Sequence, residues 1–162
     1  MKEMKSRDII KLIVSIVACQ GAGIIGSLFT TTAIPTWYAG LQKPFFTPPN
    51  WVFAPAWTTL YMLMAVAAFL IWRKGLDQKG VRFALIIFLI QLVLNTLWSI
   101  VFFGLESPFY GIMVIIALWI AIFLTMIKFF KLSTIAGVLL TPYIGWVSFA
   151  AVLNVAIWML NP

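Results

Sequence analysis

Histidine is missing from these 162 residues, cysteine occurs once, and Asp and Glu together number four. Without His there is no imidazole general acid or base and no His/Cys metal cage. One Cys makes no disulfide framework, and four scattered carboxylates furnish no paired-acid mechanism. Charge of either sign is scarce, at 9% of residues, whereas 64% are hydrophobic. A soluble domain carries roughly 45–50% apolar residues, so this composition belongs in a lipid bilayer.

The net charge of +7 would ordinarily point to nucleic acid or another anionic surface. Here the basic residues stand at the edges of apolar runs, and no nucleic-acid partner is expected. The charges leave five long charge-free windows, 12–42, 44–72, 83–105, 107–127 and 132–162. A membrane helix needs roughly 20 apolar residues to cross the hydrocarbon, so each window holds one span. The runs are continuously apolar and lack the alternation of a barrel strand. The expected fold is an all-α membrane protein, a single five-helix transmembrane bundle over residues 1–162. Its spans fall near 9–29, 54–72, 83–103, 109–130 and 134–160, with a lid-like loop over about 30–53.

Lys2, Lys5, Arg7, Lys11, Arg73, Lys74, Lys79, Arg82, Lys128 and Lys131 all fall on one side of such a bundle, and only Lys43 on the other. The positive-inside rule then places the N-terminus in the cytoplasm and the C-terminus outside. The expected location is the cell membrane, as a multi-pass protein of a bacterial inner membrane. Cys19 follows a basic, apolar start, as the lipidated Cys of a lipoprotein signal would. The chain beyond it stays apolar, so the expectation is an uncleaved first span with an unpaired, packed thiol. Ala18, Ala22 and Gly26 give that span a flat stripe for close helix approach, within the chain or to a second protomer.

The long connection holds Pro35, Pro44, Pro48 and Pro49 with Trp37, Tyr38, Phe45, Phe46 and Trp51. Disordered segments are poor in aromatics, so this one is expected to fold over the outer mouth of the bundle. The span interiors hold no Asp, Glu, Lys, Arg or His apart from terminal positions such as Lys11, which disfavours an ion-driven pump. What they hold is indole and amide chemistry. Gln91, Asn95 and Trp98 share one face of the third span. Trp57, Tyr61, Met64 and Ala68 share a face of the second, and Trp146, Ala150, Leu153 and Asn154 a face of the fifth, beyond Pro142, which is expected to kink that helix near its middle. Each stripe is either helix packing with amide glue or the wall of a cavity for a large, planar, amphipathic ligand. Trp72, Trp119 and Trp158 are expected at the interface belt or the lipid face.

The run from Trp37 to Tyr61, WYAGLQKPFFTPPNWVFAPAWTTLY, resembles the signature of the translocator protein family. These proteins are also called tryptophan-rich sensory proteins or peripheral-type benzodiazepine receptors. Gln91 to Trp98 with Phe102, Phe103 and Gly104, Pro142 and Tyr143 with Trp146, and Leu153 and Asn154 with Trp158 extend the resemblance over nearly the whole chain. It implies a five-helix bundle, usually a homodimer, with a pocket beneath the first loop. It also implies porphyrin ligands such as protoporphyrin IX, and synthetic isoquinoline carboxamide or benzodiazepine ligands. Bacterial members are tied to tetrapyrrole handling and to light, oxygen or oxidative-stress responses, and some are reported to promote light-dependent breakdown of protoporphyrin.

Trp57 and Trp146 match the two tryptophans implicated in that photochemistry. Trp98 and Ala150 match ligand-contact positions, and Trp51, Phe53 and Ala54 lie in the loop-to-helix segment over the pocket. With Tyr61, Gln91, Asn95, Leu153 and Asn154 they complete the candidate ligand-binding set. No metal and no cofactor are expected; the porphyrin is a ligand. The chain departs from the family pattern in two places. Val155 replaces the Tyr of the animal cholesterol motif, whose basic residue is also missing, and Phe46 replaces the first Trp of Lys-Pro-x-Trp-x-Pro-Pro. Two function classes follow. One is a tetrapyrrole-binding protein that transports, senses or degrades its ligand; the other is a structural or regulatory membrane partner.

Overall fold

The computed structural model describes residues 6–162; Lys2 and Lys5 lie outside the described residues. The elements run α1 (Ser6–Ala33), α2 (Trp37–Gly40), a 3-10 turn (Asn50–Val52), α3 (Phe53–Trp72) and α4 (Val81–Ser99). A π-helical turn (Ile100–Gly104) extends α4, and α5 (Pro108–Leu132), α6 (Thr134–Leu139) and α7 (Thr141–Leu160) follow. Among the described residues there is no strand. Five segments are long and apolar enough to span a membrane: Ser6–Ala33, Asn50–Trp72, Val81–Gly104, Pro108–Leu132 and Thr134–Leu160.

Local chemistry sets where these helices start and stop. Gly80 sits in the left-handed region at φ 90° ahead of α4, a conformation open to Gly at little cost. Pro108 opens α5, where its missing N–H costs nothing, and the Ser107 hydroxyl accepts the Tyr110 N–H at 3.4 Å. Ser133 adopts extended backbone at φ −158°, ending α5, and its hydroxyl accepts the Ala136 N–H to start α6.

The helices close a ring. α1 lies beside α3, α3 beside α6 and α7, α7 beside α5, α5 beside α4, and α4 returns to α1. The small stripe on α1 is used within the chain. Thr96 donates to the Ala22 carbonyl at 3.3 Å, and a Cβ on Gly26 would lie 3.1 Å from the Ser99 hydroxyl. Ala18 is exposed. Cys19 is fully buried.

Three features differ from expectation. First, α1 runs a turn beyond the expected end, to Ala33; Thr30, Thr31 and Thr32 stay helical with their hydroxyls on carbonyls of the preceding turn, and the helix stops ahead of Pro35, which disfavours helical backbone at the residue before it. Second, the fifth span breaks near its start rather than its middle. Pro142 offers no N–H and would crowd the carbonyl four residues back. The chain therefore ends α6, closes a tight turn from the Leu140 N–H to the Gly137 carbonyl at 3.2 Å, and restarts with Pro142 in the first turn of α7. Third, Trp119 faces neither lipid nor interface alone; its indole N–H donates to Ser148 at 2.8 Å and ties α5 to α7.

Candidate functional site

The end of the bundle opposite the basic residues is closed by the loop, and that closure rests on aromatic side chains. Tyr38 on α2 is buried against Phe102 and Phe103, with ring centroids 6.5 and 5.7 Å away. The π-helical turn makes this possible. The Leu105 N–H bonds five residues back to the Ile100 carbonyl at 2.8 Å, and the widened turn buries neighbouring Phe102 and Phe103 together. Burial pushes the Tyr38 phenol up to about 12, and the Lys43 ammonium sits 4.8 Å from its ring centroid. Further along the loop, Phe46 packs edge-on to Phe149 at 6.3 Å. Asn161 at the end of α7 then clamps the backbone, accepting the Gln42 N–H at 3.0 Å and donating to the Gln42 carbonyl at 2.9 Å.

Beneath this cover lies a chamber lined by Tyr38, Phe53, Trp57, Trp98, Phe102, Phe103, Trp146, Phe149, Ala150, Leu153, Asn154 and Ile157. Trp57 and Trp146 meet edge to face in its wall, flanked by Phe53 on one side and Phe149 on the other. Trp98 stacks on Phe102 at 5.3 Å and donates its indole N–H to Asn154 Oδ1 at 3.1 Å; Asn154 in turn donates to the Pro108 carbonyl. The free volume is about 20 Å³, room for one water, whereas drug-sized ligands occupy pockets of about 300–1,000 Å³. The chamber is too small for a planar macrocycle, which requires its walls to part.

A second, larger space of about 240 Å³ lies between α1, α3 and the end of α4. It shares Phe53, Trp57, Trp98 and Phe103 with the chamber and adds Ala54, Tyr61 and the Gly23 to Thr31 face of α1. Trp57 thus lines both spaces and stands between the narrow chamber and the larger groove.

The candidate residues separate by depth. Phe53, Trp57, Trp98, Trp146, Ala150, Leu153 and Asn154 line the chamber, and Ala54 and Tyr61 line the groove. Trp51 is 75% exposed and lines neither space. Gln91 and Asn95 also line neither. They sit two turns and one turn deeper on α4 than Trp98, in a buried relay: Tyr61 donates to Asn95 Oδ1 at 2.6 Å, Asn95 donates to the Tyr143 hydroxyl at 2.7 Å, and Tyr143 donates to Gln91 Oε1 at 2.7 Å. That relay joins α3, α4 and α7 and works as interhelical glue. Sequence reasoning did not select Tyr38, Phe102, Phe103 or Phe149 as site residues. The first three stood inside or beside the quoted motifs; Phe149, next to Ala150, carried no signal of its own.

The architecture defines a class: a multi-pass membrane protein whose five helices enclose an aromatic chamber under a clamped loop. Comparison with known proteins narrows it further. The TspO/MBR family profile matches residues 15–159. The chain is 48% identical over 155 residues to the tryptophan-rich protein TspO of Archaeoglobus fulgidus, covering 95% of this chain and 99% of the relative. It is 39% identical over 144 residues to the tryptophan-rich sensory protein of Cereibacter sphaeroides, covering 89% and 87%. It is 35% identical over 139 residues to the human translocator protein, covering 85% and 82%. The chain belongs to the TspO/MBR family.

Proposed function

We propose that this protein binds tetrapyrroles such as protoporphyrin IX inside the membrane and serves their transport, sensing or light-dependent degradation, with a part in the oxidative-stress response. The observation that carries the reading is the Trp57–Trp146 pair, set edge to face beside Phe53 and Phe149 in a small, almost wholly apolar chamber. Flat aromatic walls, with the Trp98–Asn154 hydrogen bond as the polar element among them, suit a planar ligand with a polar rim. The same walls suit isoquinoline carboxamide and benzodiazepine-type compounds. Membership in a family whose relatives are named sensory and translocator proteins supports the reading. The protein acts as a homodimer in the cell membrane, with the loop outside and the basic end in the cytoplasm.

The closeness of the chamber favours the competing reading, in which these rings are packing surfaces of a structural or regulatory partner. Titration of the detergent- or nanodisc-held protein with protoporphyrin IX separates the two. Binding quenches tryptophan emission saturably, with the curve shifted to higher porphyrin concentration and its amplitude reduced in a Trp57→Phe, Trp146→Phe double variant. Quenching that is linear in porphyrin and unchanged by that double variant would overturn the proposal.

A further inference from the structure

Far from the chamber, at the basic end, α1, α3 and α4 part to leave an apolar groove of about 410 Å³. Its walls include Val14 and Ala18 of α1, Ala68 and Trp72 of α3, and Leu85 and Leu89 of α4. From Arg82 to Leu89 the α4 wall covers about 10 Å of helix rise, so the groove runs from the membrane surface toward its middle. Arg82, at the outer end, is the only charged group in the lining among the described residues.

The charges around that mouth are unbalanced. Lys11 caps the Trp72 carbonyl at 3.3 Å, and Arg73, Lys74 and Lys79 lie in the same connection. Among the described residues the nearby carboxylates are Asp8, 3.7 Å from Arg73, and Asp77, 3.8 Å from Arg82. The Asp77 carboxylate is fully exposed and the Arg82 side chain 71% exposed, so this pair is a weak, solvent-screened one that an incoming phosphate can displace. Basic pockets between membrane helices favour anionic headgroups, and a groove facing hydrocarbon takes an acyl chain.

We propose that this groove is a binding site for an anionic phospholipid, with an acyl chain along Ala18, Ala68 and Leu89 and the phosphate on Arg82. The site is independent of the chamber and of what the chamber binds. Trp72 in its wall is a built-in reporter. The protein is reconstituted in nanodiscs of phosphatidylcholine doped with brominated phosphatidylglycerol or brominated phosphatidylcholine, and the Trp72-dependent quenching is taken as the difference from a Trp72→Phe variant. Brominated phosphatidylglycerol quenches about fivefold more effectively than brominated phosphatidylcholine, the size of one cation's pull on an anionic lipid. Arg82→Gln removes that preference, and Ala18→Phe, which fills the groove from an exposed position, reduces quenching by both lipids. Inorganic phosphate at the same concentration does not compete. Equal quenching by the two lipids, a preference that survives Arg82→Gln, quenching unchanged by Ala18→Phe, or competition by free phosphate would each overturn the proposal. Thermal melts of the two variants, both altered at exposed side chains, confirm that the comparison is between folded proteins.

Discussion

Trp57 and Trp146 stand edge to face with ring centroids 6.5 Å apart and planes at 87°, one from the second span and one from the fifth. An edge-to-face pair contributes roughly 0.5–1.5 kcal/mol beyond its buried area, so it holds the chamber closed with about the energy that one good ligand contact would return. A guest that stacks on either ring replaces this contact rather than adding to it.

Trp57→Phe and Trp146→Phe are therefore expected to separate binding from photochemistry. Phe keeps the flat apolar face, and each variant should weaken protoporphyrin binding by on the order of 1 kcal/mol, about fivefold in Kd. Phe lacks the N–H donor and is harder to oxidise. If the indoles react with the excited porphyrin, degradation under fixed illumination falls far more than affinity. Degradation of bound porphyrin at the parent rate in both variants would make the rings walls and nothing more.

Asn95→Leu is expected to act on stability. Asn95 accepts from Tyr61 and donates to Tyr143, and Leu leaves both hydroxyls without that partner, although Tyr143 keeps Gln91. An unpaired buried polar group costs about 1–3 kcal/mol, while hydrogen bonds between membrane helices average nearer 0.6 kcal/mol. The expected loss is about 1–2 kcal/mol, read as a lower Tm in detergent, with porphyrin Kd changed less than threefold. A large affinity loss at unchanged Tm would return Asn95 to the ligand site.

This residue also marks how far the sequence could be read. Five spans were legible because charge is excluded from lipid, and the basic edges of the windows named the helix ends within a turn or so. The chamber's walls were legible in part, since Trp57, Trp98, Trp146, Ala150 and Leu153 lie on faces that helical spacing defines. Depth along a face is what spacing leaves open. Gln91, Asn95 and Trp98 share one face of α4, yet only Trp98 reaches the chamber. Trp51 sits in the signature run but is exposed, because the 3-10 turn at Asn50–Val52 carries it outward. The break at Leu140 was misplaced because a proline disrupts the turn before it, not its own position.

Gly23→Ala is expected to wedge α1 from α3. A Cβ there would fall 2.6 Å from the Tyr61 ring, and Tyr61 is held from behind by its bond to Asn95, so the ring cannot swing away without losing it. Overpacking of this kind costs typically 1–3 kcal/mol. A drop in Tm should accompany the change, and the double variant Gly23→Ala, Tyr61→Leu should recover part of it. A Gly23→Ala protein as stable as the parent would mean that the helices separate freely at this level.

Binding is expected to be flat in pH between about 6 and 8. The chamber lining holds no His, Asp, Glu, Lys or Arg, and its outermost phenol, Tyr38, is pushed by burial from 10.0 to about 12. The sign is that of a group favouring its neutral form in the folded state. Its contribution to docking the loop is complete below pH 10 and lost as pH rises toward 12. A tenfold change in porphyrin Kd between pH 6 and 8, measured by tryptophan quenching, would require a titrating group at the site.

Asn161→Leu is expected to change rates more than affinity. The loop is fastened over the chamber by the paired bonds between Asn161 and Gln42 and by Phe46 on Phe149. The chamber has room for about one water while the loop is down, so a macrocycle enters only when the cover or a wall moves. Removing the Asn161 amide takes two hydrogen bonds from the loop, each contributing about 0.5–1.5 kcal/mol net, and a third within the last turn of α7, to the Ile157 carbonyl; no side chain of the chamber wall is altered. If the guest passes under the loop, stopped-flow quenching should show both association and dissociation accelerated severalfold, with Kd within threefold of the parent. Unchanged rates in Asn161→Leu, with acceleration in Ala54→Gly at the lateral groove, would mean that the guest passes between α1 and α3 past Trp57 and that the loop stays shut.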